Sequence, residues 1–70
     1  MSSREKRLEV FRKLPLRAQL ATILSTKANS TLSKDRDYLN SLEQIHAECL
    51  AAATSAERQT YLKAKNILEN

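Results

Sequence analysis

Two residues with side chains that could hold a metal ion lie close together in the sequence. His46 and Cys49 are three residues apart in a segment predicted to be helical, so both would project from one face. A structural zinc site needs four ligands, so two copies of the chain would have to share the ion, with Glu43 or Glu48 nearby. A partly buried histidine beside a small apolar cysteine is the simpler interpretation. We therefore predict no metal site and no other cofactor.

The same pair could instead serve in nucleophilic catalysis, which requires an exposed thiol in electropositive surroundings and an oxyanion hole. The glutamates near Cys49 make its surroundings negative. Asp35 and Asp37 are two residues apart, so on a helix they point to different sides and do not form a carboxylate pair. The chain contains no glycine, and therefore no glycine-rich phosphate loop. We predict no catalytic residues and no enzymatic activity.

Basic residues are concentrated at the start of the chain, which carries a formal net charge of +4. Residues 1–17 hold two glutamates and six basic residues, namely Arg4, Lys6, Arg7, Arg12, Lys13 and Arg17. These six are the candidates for contacting nucleic-acid phosphates, and the alternative is a solvated helix face. The three aromatic residues are spaced like core positions rather than a platform for stacking bases. Residues 35–57 are acidic, so the two regions can attract each other within a chain or between chains.

The composition predicts that all of these residues are positioned by helices. There is no glycine and one proline, whereas β-hairpins require glycine or asparagine at positive φ. Leucine and alanine are abundant and β-branched apolar residues are scarce, which favours helix over strand. We predict an all-α fold, a small bundle of three to four short helices completed by dimerisation.

The first two predicted helices are separated by the single proline. Ser2 and Glu5 have capping-box spacing, so the first helix is predicted to begin at Ser2 or Ser3. Pro15 disfavours helical backbone at Leu14, so the helix should stop or kink there. A second helix is predicted from about Pro15 to Thr26, because proline suits the first position of a helix.

A loop is predicted over residues 27–33, which are rich in serine, threonine and asparagine. Asn29 is expected to take the left-handed conformation that often follows a helix. Ser33 is the predicted N-cap of a third helix over residues 34–53, with Asp35 in its first turn.

The end of the third helix has two interpretations. Thr54 and Glu57 have capping-box spacing, and the apolar register changes there, which favours a break and a fourth helix over residues 55–68. A continuous helix over 34–69 is the alternative, because three consecutive alanines at 51–53 contain no helix breaker. The predicted core comprises Leu20, Ile23, Leu24, Leu39, Leu42, Ile45, Leu50, Ile67 and Leu68.

The length sets the scale of the fold. Seventy residues, 41% of them hydrophobic, form one helical domain over 1–70 with a predicted folded surface of roughly 4,500 Å². No apolar run is long enough to span a membrane, and no signal sequence is recognisable at the N-terminus. A single cysteine fits a reducing, cytoplasmic location.

Two partial resemblances point to one class of protein. Phe11-Arg12-Lys13, Leu32-Ser33 and His46 resemble the Hha/YmoA group of small helical nucleoid-associated modulators, although Ile45 stands where that group has an acidic residue. Residues 23–68 also resemble the biofilm and acid-resistance regulators of the YmgB type, with Leu32-Ser33 leading a helix. Both resemblances imply a short helical regulator that acts by binding another protein.

The leading hypothesis is therefore a non-enzymatic helical regulator or adaptor that forms a homodimer and binds a protein partner, for example a transcription regulator. Four short amphipathic helices commonly leave an apolar stripe exposed, and association buries it. The predicted partner contacts lie on the third helix, at Leu39, Leu42, His46 and Leu50. The alternative is a nucleic-acid-binding regulator that uses the basic first helix.

Overall fold

A computed structural model describes residues 3–69, and every regular element in that range is helical. The elements are α1 (Ser3–Arg12), α2 (Leu16–Ala28), a short 3₁₀ turn (Leu32–Lys34), α3 (Arg36–Ala52) and α4 (Ser55–Glu69). The all-α prediction is confirmed. The predicted Ser2–Glu5 capping box lies outside the described residues because it depends on Ser2.

The break between α1 and α2 falls where the proline predicts it. The amide of Leu14 donates to the Phe11 carbonyl at 3.1 Å, an i to i+3 bond that tightens the end of α1. Pro15 then has φ −58° and ψ 153°, extended backbone that interrupts the helical conformation before α2 begins at Leu16. Because proline lacks an amide hydrogen, the N-cap residue of α2 has no donor of its own to satisfy.

The chain also breaks between α3 and α4, so the two-helix interpretation is confirmed. Ala53 is extended, with φ −72° and ψ 152°. The Glu57 amide donates to Thr54 Oγ1 at 3.2 Å, and the Thr54 hydroxyl donates to Glu57 Oε1 at 3.1 Å. The Arg58 guanidinium donates to the carbonyl oxygens of Leu50 and Ala51 at 3.1 and 2.9 Å, which satisfies acceptors at the end of α3.

Two local predictions between α2 and α3 are wrong. Asn29 is extended, with φ −80° and ψ 122°, because its side-chain Oδ1 accepts from the Thr31 and Leu32 amides, both at 2.9 Å. Ser33 lies within the 3₁₀ turn, and Asp35 is the N-cap of α3, since its Oδ1 accepts from the Tyr38 amide at 3.1 Å. The third helix therefore begins at Arg36 rather than at Lys34.

The principal packing pairs are α1 with α3, α3 with α2, and α2 with α4. The molecule is flattened, with extents of 34, 28 and 14 Å along its principal axes. Its buried cluster lies between the first three helices and consists of Phe11, Ile23, Leu42 and Ile45. α4 contributes one fully buried side chain, Tyr61. It therefore lies at an edge of the packing arrangement.

The core prediction is correct for two residues each of α2 and α3 and wrong for the end of α4. Leu20, Ile23, Leu42 and Ile45 are buried, whereas Leu24, Leu39 and Leu50 are half-buried. Ile67 and Leu68 are 79% and 46% exposed, because the small side chains of α2 do not cover them. The accessible surface, 5177 Å², exceeds the roughly 4,500 Å² predicted for a compact protein of this mass.

Candidate functional site

The four predicted partner contacts do not form one surface. Leu42 is 0% exposed and belongs to the chain's own core, so it has no surface to offer a partner in this conformation. Leu39 and Leu50 are half-buried, and His46 is half-buried with both ring nitrogens in hydrogen bonds. Of the four, Leu50 lines an open apolar cleft.

Two of the six basic candidate residues are used inside the chain. Arg4 pairs with Asp35 and lies over the Tyr38 ring, 5.8 Å from its centroid. Arg12 pairs with Glu48 at 3.3 Å. The predicted attraction between the basic start and the acidic α3 therefore occurs within one chain. These partners are about half exposed, so each pair contributes only about 0–1 kcal/mol.

The other four basic residues, Lys6, Arg7, Lys13 and Arg17, make no ion pair within residues 3–69. Arg17 lies on α2, where it lines a groove against α4. The other three belong to α1 and the turn after it. The six candidates are thus divided between internal ion pairs, the α1 region and the α2–α4 side.

A buried polar network, which the sequence analysis missed, connects all four helices through Gln19. Gln19 is 0% exposed, and its Nε2 donates to the Phe11 carbonyl at 3.1 Å and to the Arg12 carbonyl at 3.4 Å. The same nitrogen lies 3.5 Å from Cys49 Sγ. Because carbonyl oxygens only accept, the amide nitrogen must face α1, and Gln19 Oε1 is left to face His46 Nδ1 at 2.9 Å.

This orientation fixes the protonation of the neutral imidazole. His46 Nδ1 carries the hydrogen and donates to Gln19, so Nε2 accepts from the Tyr61 hydroxyl at 3.0 Å. The two rings also meet edge to face, with centroids 5.2 Å apart. Burial, and secondly the positive charge of Lys65, lowers the pKa of His46, which favours this neutral form.

The network could have been found from spacing. Gln19, Ile23 and Thr26 follow an i, i+4, i+7 pattern, so they share one helix face, and all three are buried. A glutamine in register with a buried isoleucine predicts a polar group that needs partners in the core. The Thr26 hydroxyl donates to the Thr22 carbonyl at 2.8 Å, so its hydrogen-bond acceptor lies within its own helix.

The same contacts occupy the groups considered for metal binding. Both imidazole nitrogens of His46 already have protein partners, and Cys49 Sγ lies 3.8 Å from the Arg12 carbonyl. Within residues 3–69 no three His, Cys, Asp or Glu side chains come together as a metal-binding group. The arrangement holds helices together through neutral hydrogen bonds.

Two apolar hollows flank α4. The α3–α4 cleft has a volume of about 390 Å³ and is lined by Ala47, Leu50, Ala51, Arg58, Tyr61 and Leu62. The α2–α4 groove, on the other flank, is lined by Arg17, Ala18, Ala21, Ala64, Ile67 and Leu68. A neighbouring hollow shares Arg17 with this groove and includes Ala56 and Glu57. Leu62 is 54% exposed, so each flank of α4 presents an uncovered large apolar side chain.

No known protein family, curated protein or solved structure matches this chain. The two partial resemblances therefore gain no support from relatives. None of the helices in the described part of the chain has the length and apolar character needed to cross a bilayer.

Proposed function

We propose that this chain is a non-enzymatic interaction module that forms a homodimer through the α2–α4 groove and binds a larger protein as its regulator or adaptor. The observation that carries the proposal is the exposed apolar surface of α4, at Leu62, Ile67 and Leu68. A helix held mainly by one neighbour leaves most of its circumference free for other chains. A reducing, cytoplasmic location belongs to the same proposal, because Cys49 is a free thiol.

The shape of the α2–α4 groove suits a second helix. Its floor is formed by Ala18, Ala21 and Ala64, and such small residues let two backbones approach closely. Ile67 and Leu68 stand beside this floor and would be covered by the approaching helix. Burying the exposed part of two such side chains contributes about 1–3 kcal/mol to association.

The charges beside the groove favour a second copy of the chain. Arg17 lines the groove and Glu57 lines the neighbouring hollow that shares Arg17, so the surface carries both signs. In a two-fold dimer the same surface faces itself, and Arg17 of each copy can approach Glu57 of the other. The chain exposes roughly 700 Å² more than a compact protein of its mass, close to the ~800 Å² per partner in a standard interface.

The test is sedimentation equilibrium over about 1–100 µM, a range that spans moderate dissociation constants. The wild-type chain should sediment at twice 8.0 kDa, and Ile67→Glu should sediment as a monomer because it places a charge in the groove. Val10→Glu is the matched control. Val10 is 56% exposed, and it belongs to α1, which packs principally on α3 rather than on the two helices that form the groove. A wild-type monomer throughout this range, with a concentration-independent melting temperature, would refute the dimer.

Nucleic-acid binding is the second candidate, and it is favoured by the four basic residues that make no ion pair within residues 3–69. If these residues bind duplex phosphates, the logarithm of the DNA association constant should fall with the logarithm of salt concentration, with a slope of about −0.9 per phosphate contact. Arg4 and Arg12 would have to leave their internal partners first. We expect binding to duplex DNA weaker than about 10 µM at physiological salt. Sub-micromolar, sequence-selective binding that is abolished by replacing Arg4, Lys6 and Arg7 with alanine would place this function first.

A further inference from the structure

The α3–α4 cleft differs from the α2–α4 groove in its charges. α3 and α4 are connected at one end by the Arg58 hydrogen bonds and midway by the His46–Tyr61 bond. Between these two connections the walls are apolar, with Leu50 on one side and Leu62 on the other. The cleft is therefore an open trough whose two walls are joined at these two points.

The one charged residue that lines the cleft is positive. This residue is Arg58, and Lys65 follows about two turns later on the same helix. No carboxylate lines the cleft in the part of the chain that the structure describes. Glu43 of α3 is paired with Lys27 at 3.1 Å, and Glu69 stands at the end of α4. A partner that enters the cleft meets the positive charge of Arg58 and no carboxylate among the lining residues.

We infer that the α3–α4 cleft binds an amphipathic helix with acidic residues from another protein. A helix of this kind places apolar residues at i, i+4 and i+7 into a groove, and its carboxylates reach basic residues at the rim. The inference rests on the proposed role as an interaction module, but it does not depend on self-association. A second copy of the chain fits less well here, because two positively charged clefts would face each other.

The volume and exposure agree with this occupant. About 390 Å³ accommodates a few apolar side chains rather than a whole folded domain, and it lies near the lower end for ligand pockets. Leu62 is 54% exposed and Leu50 half-buried, so both remain accessible to an incoming side chain. The His46–Tyr61 bond lies beside the cleft and joins its two walls.

The experiment uses fluorescence anisotropy with the full chain and three labelled synthetic peptides. The first is an amphipathic leucine-glutamate-alanine helix, the second replaces each glutamate with lysine, and the third is a scrambled version of the first. We expect micromolar binding of the first peptide and at least tenfold weaker binding of the other two. Equal binding of the scrambled peptide, or no binding of the first, would overturn the inference.

Variants on both flanks of α4 and on α1 locate the site. Leu62→Glu lies in the cleft and should weaken binding of the acidic helix at least tenfold. Val10→Glu on α1, the matched control, should leave binding within about twofold. Lys65→Glu should also weaken it, and circular dichroism must show each variant folded. Loss of binding in Ile67→Glu alone would assign the peptide to the α2–α4 groove and overturn the inference.

Three further outcomes are separable. If duplex DNA displaces the acidic helix, and the DNA affinity responds to Lys65→Glu but not to Leu62→Glu, the cleft rim binds polyanions rather than a helix. If no peptide binds while the wild-type chain still dimerises, only this inference fails. If the chain neither dimerises nor binds the acidic helix, the proposed function fails with it.

Discussion

Replacing Gln19 with leucine should cost about 2–4 kcal/mol of unfolding free energy, because it removes hydrogen-bond partners from several buried groups without opening a large cavity. The Phe11 carbonyl loses a donor at 3.1 Å in a buried position, which costs about 1–3 kcal/mol. The His46 and Arg12 contacts are partly buried, so water can replace some of what is lost, and about 1 kcal/mol is expected from the two together. A 70-residue domain has a total stability of roughly 4–10 kcal/mol.

The assay is urea unfolding followed by circular dichroism, with the slope m required to stay constant. Gln59→Leu is the matched control, because Gln59 is exposed on α4 and the same substitution there should change the free energy by no more than about 0.5 kcal/mol. The double variant Gln19→Leu with His46→Leu should cost less than the sum of the two single variants, since it removes both partners of one bond. A loss below about 1 kcal/mol for Gln19→Leu would refute the network as a stabilising element.

Three further predictions address other features of the fold. Burial, and secondly the charge of Lys65, lowers the pKa of His46 in the folded state. The unfolded state therefore binds the proton more readily than the folded state. The unfolding free energy should consequently fall as the pH drops below about 6.5. His46 is the sole histidine. In urea titrations, the unfolding free energy of His46→Gln should therefore change less between about pH 7 and 5.5 than that of the wild type. The same change with pH in both proteins would contradict the assignment to His46. Cys49→Ala should lower the unfolding free energy by about 1 kcal/mol and leave peptide binding intact. Stoichiometric zinc in the purified protein would contradict the interpretation of Cys49 as a small packed residue. Thr54→Ala should cost about 1 kcal/mol by thermal unfolding through loss of the α4 cap, whereas Thr60→Ala, on the exposed side of α4, should cost less than half as much.

The helices could be predicted because their determinants are local. Pro15 stops one helix and begins the next, and Thr54 with Glu57 provides a cap that functions with no help from the rest of the chain. The start of α3 could not be predicted from local sequence. Ser33 and Asp35 are both good caps, and Asp35 is further held by Arg4, which is 31 residues away along the chain.

The surfaces on α4 could be predicted only in part, because burial depends on what another helix presents. Ile67 and Leu68 have the spacing of core residues. The residues of α2 that face them are alanines, which are too small to cover them, so Ile67 and Leu68 stay exposed. Gln19 shows the opposite case, a polar residue in the core. Its spacing with Ile23 indicates burial, but its partners come from two other helices, α1 and α3, and the local sequence around Gln19 does not specify them.

The way α4 is attached has a consequence for the order in which the protein opens. α1, α2 and α3 share the buried cluster around Phe11, Ile23 and Leu42, whereas α4 contributes one fully buried side chain, Tyr61. Local opening therefore requires the least free energy at α4, which can detach while the other three helices stay packed. Backbone amides of α4 should exchange with deuterium well before those in the middle of α2 and α3, and proteases should cut first at the extended Ala53 hinge.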